Sequence, residues 1–168
     1  MCTAISFLNH YFGRNLDLEY SYDETVTITP RRFPFSFHNG FETNRHAAMI
    51  GMAYVVDGYP LYYDATNEYG LSMAGLHFPG NAYYGEEPSG IAPYELIPFV
   101  LSQCKNTVQA VELLRTIQIS QFSFRDLPVT PLHWLLSDGV KSIVIEPLQE
   151  GLRTEINPVD VLTDNPPL

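Results

Sequence analysis

Positive charge is scarce in this chain: nine Lys and Arg stand against 19 Asp and Glu, a formal net charge of −10 at pH 7 over 168 residues. A surface of that sign repels nucleic acid and anionic membrane alike, so neither is expected as a partner. It also gives no long-range pull on an anionic substrate, which needs a local cation or a large apolar contact. No apolar run reaches the roughly 20 residues that span a bilayer. The N-terminus lacks a basic segment followed by an apolar core, so no signal peptide is expected and the chain is placed in the cytoplasm. There are two cysteines, Cys2 and Cys104, read as reduced thiols, although they could in principle pair. His10, His38, His46, His77 and His133 show no ligand spacing with cysteines or acids, so no metal is inferred. A glycine-rich phosphate loop and a Gly-x-Ser-x-Gly turn are both absent, and no cofactor is expected.

What is present suits one globular domain with a real core: 45% of residues are hydrophobic and 17% charged. Aromatics reach 13%, mostly Tyr and Phe, which favours strands. Residues 2–8 and 11–16 read as a hairpin closed at Asn9-His10. Residues 24–29 alternate, with Val26 and Ile28 on one face. Residues 31–45 read as a loop holding a short strand. Residues 47–56, 59–66 and 70–76 read as strands, with turns at Asp57-Gly58 and around 67–70. Residues 81–90 read as a loop. A helix with Pro93 in its first turn runs to about Cys104, and a second covers 107–117 with Val108, Val111, Leu114 and Ile117 as its stripe. Residues 132–137, 142–146, 151–155 and 159–163 read as short strands. Strands, two helices, then strands imply an α+β domain with helices covering antiparallel sheet. Cys104 sits on the buried face of the first helix and reads as a small core residue, as His133-Trp134 reads as core.

Cys2 directly follows the initiator methionine, which is normally trimmed before a small residue. Trimming would place a thiol and a free α-amine on one residue, a nucleophile with its own proton acceptor. Antiparallel return of 11–16 brings Arg14 and Asp17 to that end of the hairpin. A guanidinium there would favour thiolate and a carboxylate would orient the thiol or amine. An Arg14–Asp17 ion pair bracing the hairpin is the equally weighted alternative.

Met1-Cys2-Thr3-Ala4-Ile5, Phe12-Gly13-Arg14-Asn15-Leu16-Asp17 and Tyr59-Pro60-Leu61-Tyr62-Tyr63-Asp64 resemble the choloylglycine hydrolase family. So do Asn67-Glu68-Tyr69-Gly70-Leu71, Ala74-Gly75-Leu76-His77-Phe78-Pro79, Leu132-His133-Trp134 and Val161-Leu162-Thr163. The family comprises bile salt hydrolases and penicillin V acylases, N-terminal nucleophile hydrolases built as an αββα sandwich. The resemblance implies that Cys2 is the nucleophile, that Arg14 and Asp17 steady and orient it, and that the substrate is a glycine- or taurine-conjugated bile salt. It puts Leu16, Tyr22 and Leu127 near the steroid pocket and implies a homo-oligomer for the full-length form. The alternatives are a penicillin V or related N-acyl amide acylase, and a catalytically inactive remnant.

The chain departs from the family pattern in several places. His77 stands where the family's Ala-Gly-Leu-Asn-Phe-Pro segment has an oxyanion-hole Asn; a ring N–H could donate in its stead, or the histidine has no role. Asp164 stands where the family has another active-site Asn. An ionised carboxylate only accepts, so beside an oxyanion it would repel, with Asn165 a candidate replacement. The turn at Asn9-His10 is shorter than usual. Family members are also considerably longer. The expectation is therefore a partial αββα sandwich with helices on one face and the C-terminal half missing, residues 1–168 forming a single truncated domain.

Overall fold

The computed structural model describes all of residues 1–168 except Leu8, Asn9, Leu18 and Tyr20. The closing turn expected at Asn9-His10 therefore lies partly outside the described residues. Twelve strands follow in chain order: β1 Thr3–Phe7, β2 Tyr11–Asn15, β3 Thr25–Thr29, β4 Phe35–Ser36, β5 Glu42–Thr43, β6 Met49–Val56, β7 Tyr59–Asn67, β8 Ser72–His77, β9 Leu132–Ser137, β10 Ser142–Leu148, β11 Gly151–Ile156 and β12 Val161–Thr163. Between β8 and β9 a 3-10 turn over Pro93–Glu95 leads into α1 Leu96–Gln103, followed by α2 Thr107–Leu114.

The strands form a seven-stranded sheet, β11-β10-β9-β8-β7-β6-β3, and a three-stranded sheet, β12-β1-β2, with β4 and β5 as a separate hairpin. Every pairing between these strands is antiparallel. Helix α1 lies on β7 and β8, while on the opposite face β1 packs on β8 and β9 and β12 on β9. Helices, large sheet and small sheet are three of the four layers that an αββα sandwich has.

The central strands β8, β9 and β10 are buried on both faces. This is why they read as continuous apolar runs and not as alternating ones. Toward the helices, Met73, Trp134, Leu136 and Ile145 pack with Leu96, Val100 and Phe99. Toward the small sheet, Ala74, Leu76, Leu135 and Val144 pack with Cys2, Ala4 and Leu162. Alternation returns away from this double cover. Ile5 and Phe7 point outward from β1, while Val26 and Ile28 on β3 and Ile50 on β6 are also exposed. Val26 and Ile28 do share one face, as the alternation predicts, and among the described residues that face has no cover.

Asn67 ties sheet to helix. Its Nδ2 donates to the carbonyls of Leu101 at 3.0 Å and Cys104 at 2.8 Å, closing the end of α1, and its Oδ1 accepts from Tyr69 and Leu71. Gly70, at φ +84°, makes the turn that this requires. Asn106 caps α2 by accepting from the Gln109 amide. Helix α2 ends at Leu114, short of the expected Ile117, and buries Thr107, Ala110 and Leu114. Val108 is 59% exposed and drops out of the expected stripe, whereas Leu114 is buried and Val111 and Ile117 pack partly buried against the same core. The segment 31–45 holds the β4–β5 hairpin and not a single strand, because Phe35 and Phe37 turn inward to pack with Phe33, Phe41 and Phe99.

Gly51 on β6 faces β7 so closely that an added Cβ would sit 1.9 Å from the Asp64 carbonyl oxygen and 2.6 Å from Ala65 Cα. Backbone atoms cannot step aside, so Gly51→Ala will lower stability by about 1–3 kcal/mol, read as a lower urea midpoint. Asn67→Ala, which leaves two buried carbonyls without their donor, will cost about 2 kcal/mol in the same measurement.

Candidate active site

Strand pairing alone brings the candidate residues together. Thr3 pairs with Asn15 on β2 and with Thr163 on β12. One step further along the antiparallel register, Cys2 falls between Leu16 and Asp164. The side chain of Asn15 fixes the backbone on either side of Cys2: its Oδ1 accepts from the Thr3 amide at 2.7 Å and its Nδ2 donates to the Met1 carbonyl at 3.2 Å. Sequence reasoning passed over Asn15, although it lies inside the motif that supplied Arg14 and Asp17.

Arg14 is held by the large sheet. Its Nη1 donates to the Tyr63 carbonyl at 3.2 Å and to the Gly75 carbonyl at 2.9 Å, while its buried Nε has no hydrogen-bond partner among the described residues. The Arg14–Asp17 brace is not what forms: Asp17 instead pairs with the Met1 amine. That amine is held above its ordinary range, first by its hydrogen bond to Asp17, against a desolvation cost, with the charges of Asp17 and Asp164 adding.

Asp164 sits otherwise than expected. Its Oδ2 accepts from the Cys2 backbone N at 2.8 Å and its Oδ1 from the His77 backbone N at 3.2 Å. Both oxygens are thus engaged by N–H donors, the arrangement that suits an acceptor-only group. His77 meets Asp164 through its backbone, and its ring is exposed at the cavity mouth. Asn165 does not replace Asp164, because its Oδ1 accepts from Asn81 Nδ2 at 2.8 Å.

These groups open onto a cavity of about 570 Å³. Cys2, Arg14, Asp17, His77 and Asp164 all line it, as do Leu16, Tyr22 and Leu127, so all eight residues singled out in the sequence converge here. Of the opposite wall, residues 122–130, the sequence pointed only to Leu127, through the family resemblance, and gave no signal of the rest. That segment is anchored by aromatic stacking: Phe122 lies on His38 with centroids 4.5 Å apart, and Phe124 on Tyr59 at 5.6 Å. The buried Glu95 carboxylate holds His38 in place by accepting from its backbone N and pairing with its Nδ1. Apart from Arg14 and the Met1 amine, the charged groups around the cavity among the described residues are acidic: Asp17, Glu19 and Asp164. Of the two thiols, Cys104 lies in the helix-side core, where burial pushes it up to about 11, whereas Cys2 faces the cavity.

A family model for linear amide C–N hydrolases, the choloylglycine hydrolase family, matches residues 2–168. The chain is 46% identical over 172 residues to a bile salt hydrolase/transferase of Lactiplantibacillus plantarum, covering 99% of this chain and 53% of that protein. It is 37% identical over 176 residues to a conjugated bile acid hydrolase of Lactobacillus acidophilus, covering 99% and 56%. The chain thus spans about half the length of the curated relatives it matches. Among solved structures, a C2A mutant of the conjugated bile acid hydrolase from Clostridium perfringens superposes with a TM-score of 0.91 at 33% identity, over 99% of this chain and 54% of that one. A penicillin V acylase from Agrobacterium tumefaciens shares the fold, with a TM-score of 0.79 at 19% identity over 98% of this chain and 53% of that one. With motifs, layers and register all in agreement, the chain belongs to the choloylglycine hydrolase family.

Proposed function

We propose that residues 1–168 form the nucleophile-bearing part of a thiol amidohydrolase acting on glycine- or taurine-conjugated bile salts. The observation that carries this reading is Cys2 placed beside Arg14, Asp17 and Asp164 on a cavity whose other walls are largely apolar, including Leu16, Tyr22, Leu61, Phe124 and Leu127. Relatives named as bile salt hydrolases support the substrate class. A cavity of about 570 Å³ is within the usual range for a small-molecule site of roughly 300–1,000 Å³.

In this reading Met1 is removed and Cys2 becomes the first residue. Its Sγ attacks the amide carbonyl carbon, a C–S bond forms, and the carbonyl electron pair moves onto oxygen. Arg14, its Nη1 fixed by two carbonyls, supplies positive charge that favours the sulfur anion. The His77 ring at the mouth is the donor offered to the oxyanion. Collapse breaks the C–N bond, the leaving nitrogen takes a proton from the Cys2 α-ammonium, and water, deprotonated by the resulting amine, hydrolyses the thioester.

Purified protein with Cys2 exposed as its N-terminus will release glycine or taurine from glycocholate or taurocholate faster than it removes the side-chain acyl group of penicillin V. Faster turnover of penicillin V would move the assignment to the acylase side of the family, and no release from any of the three would leave the inactive remnant. Cys2→Ser will abolish turnover, and iodoacetamide will label Cys2 ahead of Cys104 on peptide mapping by mass spectrometry. His77→Ala will lower kcat by about 10²-fold, the usual loss for one oxyanion donor, with little change in KM.

A further inference from the structure

The carboxylate of Asp164 reaches the Cys2 nitrogen directly, its Oδ2 lying 2.8 Å away. While Met1 is attached, that nitrogen is a neutral amide. Once Met1 is gone it is an amine able to carry three hydrogens and a full charge. The same separation then becomes a charge-assisted contact, stronger than its neutral counterpart. We propose that Asp164 holds the α-amine of processed Cys2 as an ammonium, so that this nitrogen enters each turnover as a proton donor. The proposal rests on the reading of Cys2 as the processed N-terminal nucleophile and adds what sets its protonation state.

The surrounding groups favour this role. Asp164 is fixed on its other oxygen by the His77 backbone N at 3.2 Å, so it cannot turn away from Cys2 without giving up a second bond. Asp17, beyond the end of β2, loses its partner when Met1 leaves and adds negative charge to the same cavity, as does Glu19. Arg14 on β2 opposes them, but its Nη1 is committed to the Tyr63 and Gly75 carbonyls. His77 at the end of β8 presents its backbone to Asp164 and its ring to solvent. His133 on β9, fully buried, is pushed down by burial against the pull of Glu146, so it contributes no positive charge beneath Asp164. An opposite charge at hydrogen-bond distance raises an amine by about 1–3 pKa units. The α-ammonium therefore persists above the ordinary α-amine range of about 7.7–8.0. As the C–N bond breaks, one proton passes from this ammonium to the departing nitrogen and the Cys2 amine is left neutral.

The test reads the amine itself and does not depend on turnover. A Cys2→Ala chain, which has no titrating thiol at that residue, is released from a fusion so that residue 2 is the N-terminus. Its α-amine is then dimethylated with ¹³C-formaldehyde and titrated by NMR. The midpoint is expected about one unit above that of a peptide of the same first residues treated alike, and Asp164→Asn is expected to lower it by about one unit, with Asp17→Asn lowering it less. A midpoint equal to the peptide's overturns the proposal, a comparison that needs no further variant to fold. So does an unchanged midpoint in Asp164→Asn, or a larger shift in Asp17→Asn. Failure of the Cys2 chain to hydrolyse bile salts would remove the hydrolase reading and leave the titration standing. Coincident midpoints would remove the ion pair whatever the turnover.

Discussion

The antiparallel register of β1 against β2 and β12 is the constraint on which the rest depends. Strand pairing is a matter of backbone hydrogen bonds with a side-chain period of two, so slipping it by one residue would send every side chain to the opposite face. In the register observed, Ala4 turns inward against the large sheet and Ile5 outward. The same register sets Cys2 between Leu16 and Asp164, at the end of the sheet where the cavity opens. A slip would exchange these positions and carry Cys2 away from Arg14.

The large sheet supplies what the small one cannot. Its β7 and β8 carbonyls hold Arg14, and the bound guanidinium is thereby kept at the cavity that Cys2 also lines, with its Nε buried. The sheet is in turn rigid because β8, β9 and β10 are packed on both faces, and because Asn67 fastens it to α1 through two carbonyls. The far wall of the cavity is built differently, from stacked rings and the exposed His38 imidazole held by the buried Glu95 carboxylate. Cys2 and the far wall thus belong to separate structural units, so substitutions in 122–130 can reshape the pocket without disturbing the backbone that carries Cys2.

Much of this was legible in the chain because it is local. Alternation marked β3, and turn residues at Asp57-Gly58 separated β6 from β7. The hairpin spacing alone placed Arg14 and Asp17 near Cys2. Contacts between residues far apart in sequence were not legible. Nothing in the spacing announced that Arg14 bonds carbonyls in place of Asp17, that the Asp164 carboxylate is engaged by two backbone N–H groups, or that Phe122 and Phe124 would find His38 and Tyr59. Each of these is settled by how one layer lies on another, and side-chain periodicity carries no information about that.

The sequence by itself determined most of the strands, both helices and the closeness of Arg14 and Asp17 to Cys2, because short-range backbone preferences and strand spacing are written residue by residue. The tertiary structure alone decided which partner each charged group takes. Hydrogen bonds and ion pairs are decided by distances of a few ångströms between segments as much as 162 positions apart, the separation of Cys2 from Asp164, and only the packing of one sheet on another sets those distances.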